Sequence, residues 1–260
     1  MTLCDTFRNQ AFWSWDSLRR ARSASTQLGE ESLTDFNLLE IRTRHPNEVI
    51  TKTFTKPKEA GTGADWEWWF TGSSRRWLGF RIQAKVLDLR SDKFEHLHYK
   101  PSPGQLSSGQ YQADLLCQRA QSALPKRIPL YCLYAQWRHQ NPGPPWTCGS
   151  FPFAEESFGC SLVDAYEIAR LRPRKGLGDL VPLMTPWHCL VCCEAYSRGD
   201  LPERALVFLR ERMAGGIERA GVELATEPPS YVQAILRNEL TEPPDPDLRT
   251  ITVFHERAKG

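Results

Sequence analysis

Two short stretches of this chain carry residue types able to hydrolyse a phosphate ester: Asp65 in ADWEWWF, and the triplet Gln83-Ala84-Lys85 in GFRIQAKVL. Cutting a phosphodiester needs a cation to neutralise the transferring group, a base or metal to generate hydroxide, and help for the leaving oxygen. Magnesium takes hard oxygen ligands, commonly one or two carboxylates, and keeps several waters. Asp65 can be that carboxylate, Gln83 a neutral carbonyl ligand, and the backbone carbonyl of Ala84 a further oxygen. Glu67 is the acid that could compensate for a neutral Gln83, so the expected metal set is Asp65, Gln83 and Glu67. Lys85 can orient the attacking water or stabilise phosphorane charge.

Strand periodicity is what would bring these residues together. In residues 64–70, Trp66, Trp68 and Phe70 share one face, with Asp65 and Glu67 on the other. In residues 78–87, Leu78, Phe80, Ile82, Ala84 and Val86 oppose Arg81, Gln83 and Lys85. Paired as a hairpin, the two strands put Asp65, Glu67, Gln83 and Lys85 on one side of a sheet. Around them, EESLTDFNLLEIRTR (30–44) predicts a helix, with Leu33, Phe36, Glu40 and Ile41 at helical spacing. VITKTFT predicts a strand, QYQADLLCQRAQSAL a helix with Ala113, Leu116, Ala120 and Leu124 on one stripe, and IPLYCLY a buried strand. The order helix, strand, strand, strand, helix, strand makes an α/β core. Beyond it SLVDAYEIARLR predicts a helix and PWHCLVCCEA a strand or short buried helix. LPERALVFLRERMAGGIERAG predicts a helix interrupted at Gly215-Gly216, and the stiff spacer TEPPDPD leads to a last strand, TITVF. The expected division is an N-terminal helical extension (1–29), a core (30–137) and a C-terminal α/β extension packed on it (138–260).

A helix carrying an acid, a hairpin with Asp65 followed by Gln83-Ala84-Lys85, then a helix and a strand, resembles the PD-(D/E)XK nuclease superfamily, which includes restriction endonucleases and RecB-like nuclease domains. The resemblance covers residues 30 to 135. It departs at Ala64, where the family has Pro, and at Gln83, where Glu is commoner. It implies a restriction endonuclease-like fold: helix, three-stranded antiparallel meander, helix and strand, with additional C-terminal helices and strands. It also implies a Mg²⁺-dependent nuclease, with Mn²⁺ able to substitute, acting on double-stranded DNA in anti-phage defence or DNA processing, alone, as a homodimer or with a defence-system partner. Asp65 takes the place of the family's metal-binding Asp, Gln83 of its Glu or Gln, and Lys85 of its catalytic Lys. Glu31 is the candidate for the extra helix acid, with Asp35 and Glu40 as rivals. Gln112 echoes a substrate-binding Gln of RecB-like members. The alternatives are a catalytically weakened module that binds nucleic acid or a partner protein without cutting, and a hairpin whose polar face is merely solvated.

Bulk composition decides little between these. A net charge of +2 over 260 residues means that any nucleic-acid affinity must come from a local basic face. Arg75, Arg76 and Arg81 are the candidates. No stretch approaches the roughly 18 apolar residues of a membrane span, and MTLCDTFRNQAFWSWDSLRRAR lacks the apolar core of a secretory signal, so a cytoplasmic protein is expected. Eight Cys are then expected to be mostly buried thiols. The competing expectation is a zinc site at Cys189 and Cys192 with His188, Cys193, Cys148 or Cys160.

Overall fold

A computed structural model describes residues 1–54, 65–100, 109–138, 149–192, 198–245 and 248–256. The expected loops at 56–63 and 139–148, together with Ala64, Cys148 and Cys193, lie outside the described residues. Helix α1 (Leu3–Ser23) opens with a capping box: Thr2 Oγ1 accepts from the Asp5 N–H, and the Asp5 carboxylate accepts from the Thr2 N–H. Phe7, Ala11, Trp15 and Leu18 recur every three or four residues along it and are all buried, which is the stripe that packs a helix on a core. Helix α2 (Glu30–Arg44) buries Leu33, Leu38 and Ile41. Phe36, expected on that stripe, is instead 55% exposed, and Glu40 pairs with Arg44 on the outer side.

Seven strands form one mixed sheet, so the chain is an α/β protein. They are β1 (Val49–Thr53), β2 (Trp66–Thr71), β3 (Leu78–Val86), β4 (Arg127–Tyr134), β5 (Ser161–Asp164), β6 (Thr185–Pro186) and β7 (Thr250–His255), in the order β1-β7-β2-β3-β4-β5-β6. β2 and β3 pair antiparallel as expected, and β4 lies parallel to β3. The expected three-stranded meander is corrected in one place: β1 does not pair with β2, because β7 lies between them, antiparallel to β1 and parallel to β2. Burial explains the placement. β7 is covered on both faces as far as Phe254, whereas Ile50 and Thr53 of β1 face solvent; TITVF suits an interior position and VITKT an edge.

The remaining helices among the described residues are α3 (Gln112–Ser122), α4 (Ala165–Arg170), α5 (Leu177–Leu180), α6 (Cys189–Cys192), α7 (Leu201–Arg212), α8 (Ala214–Ala220) and α9 (Ser230–Leu236). Two expectations shift. SLVD is strand β5 and only the following residues are helical. The break near Gly215-Gly216 falls at Met213, leaving both glycines inside α8. On one face of the sheet Phe7 of α1 meets Trp68, Trp187 and Phe254 at ring-centroid distances of 5.6, 4.8 and 5.8 Å. Helices α3 and α9 supply partners to the other face. With helices on both sides, β2 and β4 are buried along their whole length and β3 from Leu78 to Lys85. That excludes the solvated-hairpin reading, since Arg81, Gln83 and Lys85 are 2, 2 and 6% exposed.

Among the described residues no helix is long and apolar enough to cross a membrane. Cys4 and Cys192 form a disulfide that ties the start of α1 to α6, and Cys117, Cys132, Cys160 and Cys189 are buried thiols. With Cys192 so engaged, the Cys189/Cys192 pair is not a zinc-ligand pair.

Candidate active site

Asp65 precedes β2 by one residue and is held by backbone on both sides. Its N–H donates to Ile82 O (2.8 Å), and its C=O accepts from the Arg249 N–H just before β7 (3.0 Å). The antiparallel register that pairs Trp66 with Ile82 sets Asp65 opposite Gln83. Asp65 Oδ2 accepts from the Ala84 N–H at 2.7 Å and from Gln83 Nε2 at 2.5 Å. Gln83 Nε2 also donates to Ala84 O at 3.1 Å. The amide nitrogen therefore sits between two oxygens, Asp65 Oδ2 and Ala84 O, while Gln83 Oε1 is buried without a hydrogen-bond partner among the described residues.

Lys85, two residues further along β3, points its ammonium at the start of α2, with Nζ 3.7 Å from Glu30 Oε1. A hollow of about 10 Å³, lined by Glu30, Glu31, Asp35, Asp65 and Arg249 among others, opens beside this group; its size suits one water or ion. Burial, reinforced by Asp65, pushes the Glu30 carboxyl up to about 7 even though Lys85 pulls the other way. Burial likewise raises Asp65, against the attraction of Lys85 and the Ala84 N–H. An acid kept near neutrality beside a lysine in a sheet interior is a pattern of reactive sites.

The expected residues sort into three groups. Asp65, Gln83 and Lys85 converge. The helix acid nearest Lys85 is Glu30, whereas Glu31 and Asp35 line the same hollow and face Arg249 at 3.5 and 3.7 Å. Glu40 lies nearly three turns along α2 from Glu30, with Arg44.

Glu67 goes elsewhere. It is 1% exposed, with Oε1 3.3 Å from Arg127 Nε and 3.6 Å from Arg81 Nη1. Its Oε2 accepts from Tyr231 (2.6 Å) and Trp69 (3.3 Å). Two arginines neutralise that carboxylate without hydrogen-bonding its Oε1, so the structure gives it a place in an ion-pair network and none at the hollow.

The basic residues are likewise separated. Arg81 is buried against Glu67 and Asp245, and so is not an open phosphate contact. Arg75 and Arg76 occupy the β2–β3 turn, at the far end of a six-residue strand, ~20 Å from Asp65 at the usual strand rise. Gln112 is buried at the first turn of α3. Sequence reasoning missed Glu30, Arg249, Arg127, Tyr231 and Asp245, and of these only Glu30, adjacent to Glu31 at a helix start, gave a local signal.

Among the described residues no group of three His, Cys, Asp or Glu side chains is arranged to hold a metal ion. The donors present are of the hard-oxygen kind: Asp65, Ala84 O, Glu30, and Gln83 Oε1 if the amide turns over. The unpartnered, buried Oε1 is the observation that fits a cation, because half a turn of the amide would carry it to the point where Nε2 now meets Asp65 Oδ2 and Ala84 O.

Fold and cluster together define an α/β protein with a mixed seven-stranded sheet and a buried acid–amide–lysine group. The chain belongs to a family of unknown function, DUF6615, whose pattern it matches over residues 3–260. No curated protein and no solved structure matches it.

Proposed function

We propose that this protein is a Mg²⁺-dependent nuclease of restriction endonuclease-like type that hydrolyses DNA phosphodiester bonds, in anti-phage defence or DNA processing. The observation that carries the reading is the convergence of Asp65, Gln83 and Lys85 across β2 and β3, with Glu30 closing the group from α2. A bound Mg²⁺ or Mn²⁺ would be held by Asp65, Ala84 O and Gln83 Oε1, and would supply charge neutralisation at the scissile phosphate. The chain's own residues do the rest. Lys85 presents a positive charge to the phosphate oxygens and orients the incoming water. Glu30, its carboxyl near neutrality, accepts that water's proton as the new P–O bond forms. The P–O bond to the departing sugar oxygen then breaks, and that oxygen takes up a proton from solvent water, while Glu30 returns its own to solvent.

One observation favours a second reading, a module that binds DNA without cutting. The Gln83 amide already satisfies Asp65 Oδ2 and Ala84 O from within the protein, so the site is closed without a cation. Incubation of the purified protein with plasmid and Mg²⁺ or Mn²⁺, against EDTA, separates the two: cation-dependent nicking that disappears in Asp65→Ala supports the nuclease. DNA binding with no cleavage in either metal supports the module.

A further inference from the structure

The ion-pair network beside the cluster has one member at the solvent side. Asp245, in the irregular segment after Pro243-Pro244, bridges two arginines: Oδ2 pairs with Arg81 Nη2, and Oδ1 lies 3.6 Å from Arg119 Nη1 of α3. Its side chain is 21% exposed and that of Arg119 27%, whereas Arg81 is at 3% and Glu67 at 1%. Glu67 is therefore sealed inside with Arg127, while the Asp245 carboxylate caps the group from outside. Removing Asp245 takes one carboxylate away from Arg81 and Arg119 on the solvent side and leaves Glu67 paired with Arg81 and Arg127 inside. Guanidinium forks that take a carboxylate also take a phosphodiester, since both offer two oxygens to paired N–H groups. Arg81 is two residues before Gln83 on the same face of β3, ~7 Å away at the usual rise, which is on the scale of one nucleotide step along a strand.

We propose that Arg81 and Arg119 form a phosphate cradle in which the Asp245 carboxylate is a resident substitute, exchanged for the backbone phosphate next to the scissile one when nucleic acid binds. The assignment of that phosphate rests on the nuclease reading; the cradle itself does not. Asp245 then acts as a gate on affinity: nucleic acid must displace it, and ligands without a phosphate do not. An arginine that is buried in the free protein becomes a backbone contact in the complex.

The test is thermal unfolding of the full chain in inorganic phosphate against chloride at matched ionic strength, for wild type and Asp245→Ala. Binding of a fluorescent duplex is measured alongside without divalent cation, where no cleavage is expected. Phosphate should raise the Tm of Asp245→Ala by several degrees more than that of wild type, as expected for an anion that binds only the native state. The variant should hold the duplex about 10-fold more tightly, with a salt dependence steeper by about one phosphate contact. Adding Arg119→Ala should cancel both gains. If Asp245→Ala fails to fold in chloride, recovery in phosphate supports the cradle and failure in both overturns it. Equal phosphate responses in wild type and variant, or unchanged duplex affinity, also overturn it. A protein that passes these tests yet never cleaves keeps the cradle and loses the nuclease; one that cleaves but shows no phosphate response does the reverse.

Discussion

Gln83 and Asp65 face each other across β2 and β3, and the amide nitrogen of the first lies between the carboxylate of the second and the carbonyl of Ala84. A neutral donor thus occupies the point where two oxygens would otherwise repel or share a cation. Whether the group is a working site turns on how readily that amide gives way.

Gln83→Glu tests this directly. A second carboxylate 2.5 Å from Asp65 Oδ2 removes the donor and adds a like charge, so the metal-free variant should be less stable than wild type, by ~1–3 kcal/mol for the lost buried hydrogen bonds. Millimolar Mg²⁺ or Mn²⁺ should restore the loss, and cleavage should rise at least tenfold. Urea unfolding with and without cation reads the first, plasmid nicking the second. Stability that ignores the cation would argue against an ion at Asp65.

Lys85→Ala should reduce cleavage by ~100-fold or more, a barrier increase of ~2.7 kcal/mol, while duplex affinity changes by less than about threefold, since Lys85 is buried and already paired with Glu30. A parallel collapse of both would assign Lys85 to binding.

Stability should also depend on pH in a stated direction. Glu30 rises from the ordinary carboxylate value of 4.5 to about 7 in the fold, mainly through burial, and Asp65 shifts the same way. The folded protein therefore holds protons more tightly than the unfolded chain, and the associated stability, full below 4.5, is lost as pH rises through about 7. Chemical denaturation between those limits, without divalent cation, should show the decline, and Glu30→Gln should flatten it. Cation affinity should climb across the same window, because metal takes the ionised acid.

Glu67→Gln should behave as a structural lesion. Removing the carboxylate leaves Arg81 and Arg127 buried without it, a change of the kind that costs about 3–5 kcal/mol. Equilibrium unfolding measures it. A near-normal stability with weakened Mg²⁺ binding would instead return Glu67 to the metal.

The hairpin was legible because alternation survives burial. Trp66, Trp68 and Phe70 share one face whether the other meets water or partners, so the sequence placed Asp65, Gln83 and Lys85 on a common face, and the flanking helices suggested that it was covered without saying by which residues. What covers it comes from far away: Tyr231 and Asp245 are 164 residues from Glu67 and Arg81, respectively, and no local spacing encodes that meeting. The choice between Glu30 and Glu31 fails for a different reason. One residue is about 100° of helix rotation, finer than any boundary estimate from pattern. TITVF was readable as a strand, but its position inside the sheet depends on which edge stays unpaired, and only the packing of Phe254 on Phe7, Trp68 and Phe70 decides that.

β7 also imposes an order of events. Thr250 pairs with Trp66 and with Thr53, and Arg249 donates to Asp65, so the backbone that fixes the candidate site is closed by residues made almost 200 positions after it. During synthesis a ribosome has to pass residue 249 before Asp65 acquires its second neighbour. Pairings this distant in sequence also make for slow folding. A nascent or truncated chain that stops short of β7 leaves the candidate site unfinished, so under the proposed activity the polypeptide cannot damage nucleic acid before residue 255 has been made.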